Sequence, residues 1–366
     1  STGGDGWTQR TAWLTEVDEC TWYFGSIACN ASGVIVRLNL SFNRLRGLIP
    51  PEIGMLPDLI SVNLSGGSGS RITGMLPVEL SQLTKMQRFV VTNNGIEGPI
   101  PNGLNWPNAI ILDLSRNQLT NSIPVDIELM SSLVSLNLAH NQISGELTSA
   151  IGDLTKLTLL DLRNNAIEGP VPGEIGNLVL LETINLSQNG FTSLPGEIGN
   201  LVNLNSLKAQ ENDLSGLLFD QWFLLDQLET LDLHDNDLEG PIPGSLGGLE
   251  KIQILDLSSN MFSENIPPEL GNLGSLIHLF LYSNKLTGVI PVALDGLAKV
   301  SFLRLDDNNL QGAVPLELCD TLGENQVPLF YSDCDLLSGV GKIQCPLGTC
   351  CTHCCSGGEC KCVFTG

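Results

Sequence analysis

Along most of the chain, apolar residues recur at a fixed spacing, with one polar residue at a fixed place among them. From about Ile35 to Glu317 the pattern reads L-x-x-L-x-L-x-x-N-x-L-x-G-x-I-P-x-x-L-G-x-L. A clear copy runs through Leu228, Leu231, Leu233, Asn236, Leu238, Gly240, Ile242-Pro243, Leu246 and Leu249. The Asn falls at positions 43, 94, 117, 141, 165, 189, 212, 236, 260, 284 and 308, spaced 23 or 24 residues apart after Asn94. One copy between Asn43 and Asn94 lacks the Asn and carries the insertion Gly66-Gly67-Ser68-Gly69-Ser70, which reads as a flexible loop beside the strand face. Counting it, there are twelve repeats. A period sustained this long marks a stack of like units rather than several globular domains.

Each position in the repeat has a physical reason. The L-x-L alternation predicts a short strand with one face turned inward. Stacked strands make a parallel sheet at about 4.8 Å per repeat, so twelve span roughly 55 Å. Past the strand the chain turns inward and strands backbone amides and carbonyls in the core. An Asn carboxamide offers both donors and an acceptor for them. Leaving such a group unpaired costs about 1–3 kcal/mol, so stacked Asn residues are expected to form a ladder. Gly and Ile-Pro shape the outer turn, where Pro fixes φ and gives up a donor. Ten of the twelve repeats hold that Pro; Leu147-Thr148 and Leu218-Phe219 replace it in the others. These Leu, Asn, Gly and Pro positions are therefore structural and carry no evidence of chemistry.

The G-x-I-P segment followed by L-G-x-L resembles the plant-type class of leucine-rich repeat, as in receptor-kinase ectodomains and polygalacturonase-inhibiting proteins. The likeness covers about 280 residues. It implies an α/β solenoid, a right-handed superhelix with a parallel concave sheet and disulfide-stapled caps. Trp13, Cys20-Thr-Trp22, Gly25 and Cys29, followed by Val34-Ile-Val-Arg-Leu-Asn-Leu-Ser, are similar to that class's N-terminal cap, with one extra residue between Trp22 and Gly25. The resemblance implies a Cys20–Cys29 disulfide shielding the first core edge. Domain bounds follow: an N-terminal cap over 1–34, repeats over 35–317, and a Cys-rich C-terminal cap over 318–366.

That last segment departs from the plant-type ending. It holds Cys319, Cys334, Cys345, Cys350, Cys351, Cys354, Cys355, Cys360 and Cys362. Asp333-Cys334-Asp335, Cys345 and Cys350-Cys-Thr-His-Cys-Cys355 look like the tails of secreted leucine-rich repeat proteins of diatoms and related algae. With little apolar material, this segment needs covalent staples, and disulfides are the expected ones. A metal-thiolate cluster around His353 is the alternative. Neighbouring thiol pairs do not match finger spacing, and an oxidising compartment works against it. An odd total of eleven Cys leaves one over for another chain or a free thiol.

Composition narrows the function classes. Aromatics are 5% against 42% apolar residues, so the core is built from Leu and Ile. A net charge of −23 repels nucleic acid and anionic membranes. No apolar run is long enough to span a membrane. Cys confined to the ends, four sequons (Asn30, Asn39, Asn63, Asn185) and a start at Ser1 without an apolar leader point to a secreted or cell-surface chain whose signal was removed. Glycans on Asn39, Asn63 and Asn185 would shield the early strand face; a crowded sheet would instead leave them unmodified.

No nucleophile elbow, P-loop, zincin or cofactor motif is present, so no enzyme and no cofactor is expected. His140, His234 and His278 belong to different repeats and are expected to lie too far apart for one metal site. Asp113, Asp161, Asp232 and Asp256 share a column, but L-D-L-S/R is background in this repeat class, so no metal is expected there. Asp306-Asp307, beside Asp235 and Glu211, is an acidic run that could hold Ca²⁺ weakly. Strand positions six, four and two residues before each Asn are not dictated by the repeat. Most are Ser, Asn, Asp or Thr. Near the C-terminal end the character changes to His278, Phe280 and Tyr282, then Phe302 and Arg304, with His234 and Lys208 earlier. Rings and a cation on an otherwise polar sheet suit a protein, peptide or polysaccharide ligand, unless the C-terminal cap covers them. The reading is a non-enzymatic binding or scaffold protein. The alternatives are a cell-wall or extracellular assembly component that self-associates through the Cys-rich tail, and an inhibitor of secreted polysaccharide hydrolases.

Overall fold

The computed structural model describes residues 20, 27–67, 69, 71–318 and 321, and the strand backbones at 329–333, 353–356 and 359–361. The chain forms two compact units, 1–190 and 191–366.

In the first unit, Ile27–Cys29 pairs antiparallel with Ile35–Asn39. From there a parallel ladder runs through Ser61–Asn63, Arg88–Val90, Ile111–Asp113, Ser135–Asn137, Leu159–Asp161 and Thr183–Asn185. Most strands are three residues long, and the middle residue points inward. Val62, Phe89, Leu112, Leu136, Leu160 and Ile184 are all buried, while most of their neighbours are half-exposed; Arg88 is exposed, and Val90 and Asn185 are buried as well. This is the alternation read from L-x-L. Cys20 and Cys29 are joined as a disulfide.

In the second unit a parallel ladder of its own runs through Ser206–Lys208, Thr230–Asp232, Ile254–Asp256, His278–Phe280 and Phe302–Arg304. The backbone of Leu329–Asp333 adds a further parallel strand beside Phe302–Arg304.

The Asn ladder forms as the pattern requires. Asn141 Nδ2 donates to Leu114 O and Leu138 O, both at 3.0 Å, while its Oδ1 accepts from Leu119 N. In the second unit Asn260 Nδ2 donates to Leu233 O, Leu257 O and Ser258 O, and Oδ1 accepts from Leu238 N. Each carboxamide thus stitches its own turn to the preceding repeat. In the irregular early copy, Gly67 holds the Asn place. Gly66 N donates to Thr92 O, and Asn93 Nδ2 to Gly66 O, so the start of the insertion is tied to the next repeat.

Within the repeats the helical part consists of single five-residue 3-10 turns, such as Gly173–Asn177 and Gly244–Gly248, and residues 316–318 are α-helical. The Pro of G-x-I-P sits just before these turns, already at the φ it is locked to, as at Pro172 (φ −67°). Where Pro is missing, Thr148 accepts from Ala150 N instead. Phe219 fills the other place and packs on Trp222, ring centroids 5.7 Å apart. The Gly of L-G-x-L has a steric reason: a Cβ at Gly271 would fall 1.8 Å from the Ala293 carbonyl oxygen of the next turn. Between strands and 3-10 turns, short ladders such as Ser144–Glu146 with Ala166–Pro170 line the flank of each unit.

Candidate functional site

The second unit's strand face carries three columns of outward side chains. The middle column reads Lys208, Asp232, Asp256, Phe280 and Arg304, with register partners side by side. Ser206, Thr230, Ile254, His278 and Phe302 form the column before it. Two residues past the middle column lie Gln210, His234, Ser258, Tyr282 and Asp306.

At the C-terminal end these columns make one aromatic cluster. His278 lies edge-on to Phe302 at 4.8 Å between centroids and stacks on Phe280 at 5.7 Å. Phe280 meets Tyr282 edge-on at 6.4 Å, and the Arg304 guanidinium lies 3.7 Å above the Tyr282 ring. Edge-to-face and offset contacts of this kind suit the ring quadrupoles, and Arg over Tyr adds a cation–π attraction. All five side chains are half-buried. Burial pushes the His278 pKa below the usual imidazole value, which favours the neutral ring that packs best among Phe rings.

The cationic character expected of this end is corrected by Asp306. Arg304 donates from Nε to Oδ1 and from Nη2 to Oδ2 of Asp306, at 3.1 and 2.7 Å. Asp306 is 4% exposed, so the pair is a compensated dipole beside the rings rather than a free positive charge. The same pairing corrects the cation candidate at Asp306-Asp307. Asp306 is engaged by Arg304, Asp307 accepts from Ser283 Oγ, and Asp235 lies three strands earlier in the ladder.

A second grouping lies two strands earlier. His234 Nδ1 is 2.7 Å from Asp232 Oδ1 and 3.6 Å from Asp256 Oδ2. Asp256 Oδ1 in turn accepts from Ser258 N and Oγ. The hydrogen bond to Asp232 lifts the His234 pKa, with burial opposing it. Burial also lifts the Asp256 carboxyl, against the two bonds from Ser258. Sequence reasoning treated the His residues and the Asp column separately. Their convergence was missed because His234 is out of column with the Asp residues and meets Asp256 only across the strand pairing. Lys208 is the register partner of Asp232, on the strand before it.

In the first unit, the three strand sequons share one geometry. The Oδ1 of Asn39, Asn63 and Asn185 accepts from the Ser hydroxyl two residues on, at 2.7–2.8 Å. Asn185 is 8% exposed; Asn30, before the first repeat, is exposed. The C-terminal cysteines lie outside the described side chains. Grooves exist away from the strand faces, one of about 510 Å³ around Leu217, Phe219 and Trp222, but neither candidate cluster lines them. Among the described residues, no helix is long and apolar enough to cross a membrane.

Comparison with known proteins agrees with this geometry. A leucine-rich repeat family matches residues 35–56, 108–130, 132–154, 156–178, 180–201, 227–249 and 251–273, and a second leucine-rich repeat family matches 264–310. Receptor-like protein 34 of Arabidopsis thaliana is 34% identical over 100 residues, covering 26% of this chain and 10% of that protein. Phytosulfokine receptor 1 of Arabidopsis thaliana is 29% identical over 105 residues, covering 28% and 10%. Among solved structures, a TDR receptor aligns with TM-score 0.76 and 30% identity, over 85% of this chain and 52% of that one. The plant peptide hormone receptor RGFR1 in complex with RGF2 gives TM-score 0.73 and 30% identity, also over 85% and 52%. The chain thus spans about half the length of these structural relatives and a tenth of the curated ones.

Proposed function

Because this chain belongs to the leucine-rich repeat family, in its plant-type class, we propose that it is a non-enzymatic extracellular recognition protein. Its ligand is a peptide or protein segment laid across the strand face of 191–318. The carrying observation is the half-buried cluster of His278, Phe280, Tyr282 and Phe302, with Arg304 stacked over Tyr282 and held by Asp306. Rings held by neighbours lose little freedom on binding, so their apolar area contributes nearly in full. Peptide hormones appear in the names of structural relatives: the plant peptide hormone receptor RGFR1 in complex with RGF2, and the HAESA ectodomain in complex with an IDA peptide hormone ligand. Those ligands belong to those receptors. What supports a peptide here is the same repeat class together with aromatic anchors on a polar sheet.

The test is selection of a displayed peptide library on the purified chain, followed by affinity measurement on the Phe280→Ser/Tyr282→Ser variant. Enriched peptides should bind the variant at least tenfold more weakly, with an unchanged circular dichroism spectrum and melting temperature. Peptides that bind both proteins equally, or a failure to enrich any, would overturn the reading.

A further inference from the structure

We propose that Asp232, His234 and Asp256 form a binding site for a divalent transition-metal ion, with Zn²⁺ the ion this donor set fits. The proposal goes beyond peptide recognition and stands whatever occupies the aromatic cluster. It rests on an imidazole nitrogen and two carboxylate oxygens, all within 4.8 Å of one another, contributed by two neighbouring repeats. Zinc binds imidazole and carboxylate ligands at about 2.0–2.2 Å, so tetrahedral donors lie about 3.4 Å apart. The observed 2.7 and 3.6 Å bracket that spacing, and a side-chain adjustment of under an ångström brings both to it.

Charge points the same way. Two carboxylates with a neutral imidazole carry −2, which Zn²⁺ cancels. Among the described residues, no lysine or arginine pairs with either Asp. Both Asp side chains are less than a fifth exposed, so their mutual repulsion is poorly screened. Asp256 is already oriented by its bonds from Ser258, the outer support that metal carboxylates ordinarily have.

The imidazole selects the ion class, since Ca²⁺ and Mg²⁺ prefer oxygen donors throughout. Three protein ligands leave a position for water or for a donor from a bound partner.

The full chain has four His, so its histidine side-chain NMR spectrum can be followed while Zn²⁺ is added. His234→Gln identifies the His234 signal. That signal should shift and saturate with Zn²⁺, and Asp232→Asn and Asp256→Asn should each weaken the apparent affinity at least tenfold. Both variants should fold, because Asn137 and Asn185 occupy the same strand position in other repeats. The proposal is overturned if the His234 signal stays in place at tenfold excess of Zn²⁺. It is equally overturned if both Asn variants titrate like the parent.

Discussion

Arg304 grips Asp306, two residues further along the same repeat, through two parallel hydrogen bonds that leave the carboxylate nearly sealed from water. The consequence for stability is asymmetric. Arg304→Met strips a buried carboxylate of its partner and should destabilise the chain by about 1–3 kcal/mol, less than a fully buried pair because the guanidinium is 31% exposed. Adding Asp306→Asn should recover part of that loss. Urea melts of the two single variants and the double variant give the coupling; strictly additive losses would contradict the pairing.

The Asn ladder predicts large effects from small deletions. Asn260→Ala removes donors to three carbonyls and the acceptor for Leu238 N, in a place only 8% exposed. The expected loss is about 1–3 kcal/mol for each group left without a partner, moderated by any water that enters. Hydrogen exchange should show faster exchange at the Leu238 amide first. A variant that melts like the parent would rule out the ladder's energetic role.

The His234 pKa is raised by Asp232, with Asp256 and Glu211 adding to the negative field. A raised folded-state pKa means stabilisation that is full below about pH 6.5 and lost as pH rises through the folded value. In metal-free buffer, the parent should therefore lose stability across that window while His234→Gln loses less. Asp256→Asn should lower the His234 titration midpoint seen by NMR. A midpoint indifferent to Asp256 would show that the carboxylates do not act on the ring. Because burial raises the Asp256 carboxyl, the Asn variant should also relieve a cost near neutral pH.

Gly271 tests the stacking of the outer turns. With the Ala293 carbonyl 1.8 Å from where a Cβ would stand, Gly271→Ala forces the two 3-10 turns apart. A cost of about 1–3 kcal/mol is expected from such overpacking. Gly274→Ala, where nothing lies within 4 Å, serves as the control and should change stability far less.

Sequon occupancy should follow exposure. Mass spectrometry of material from a glycosylating host should find glycan at Asn30 and little at Asn185, whose carboxamide is buried and bonded to Ser187. Full occupancy at Asn185 would mean that the strand face of 1–190 is glycan-covered.

The repeat length, the inward middle residue of each strand, the Asn ladder and the outer turn were all determined by sequence alone. Each is a local rule applied many times: alternation sets the face, Asn meets donors that the turn always creates, and Pro pre-sets φ. Other features required the tertiary structure. The residue before each ladder Asn, whether His140, Glu211, Asp235 or Asp307, takes a left-handed conformation near φ +55° although its chemistry varies, because the turn imposes it. The charge of Arg304 is cancelled within its own repeat, which spacing alone cannot reveal since side-chain rotamers decide it. His234 meets Asp256 through strand register and side-chain direction, not through proximity in the chain. A periodic sequence states which residues share a column; only the packed sheet states which of them touch.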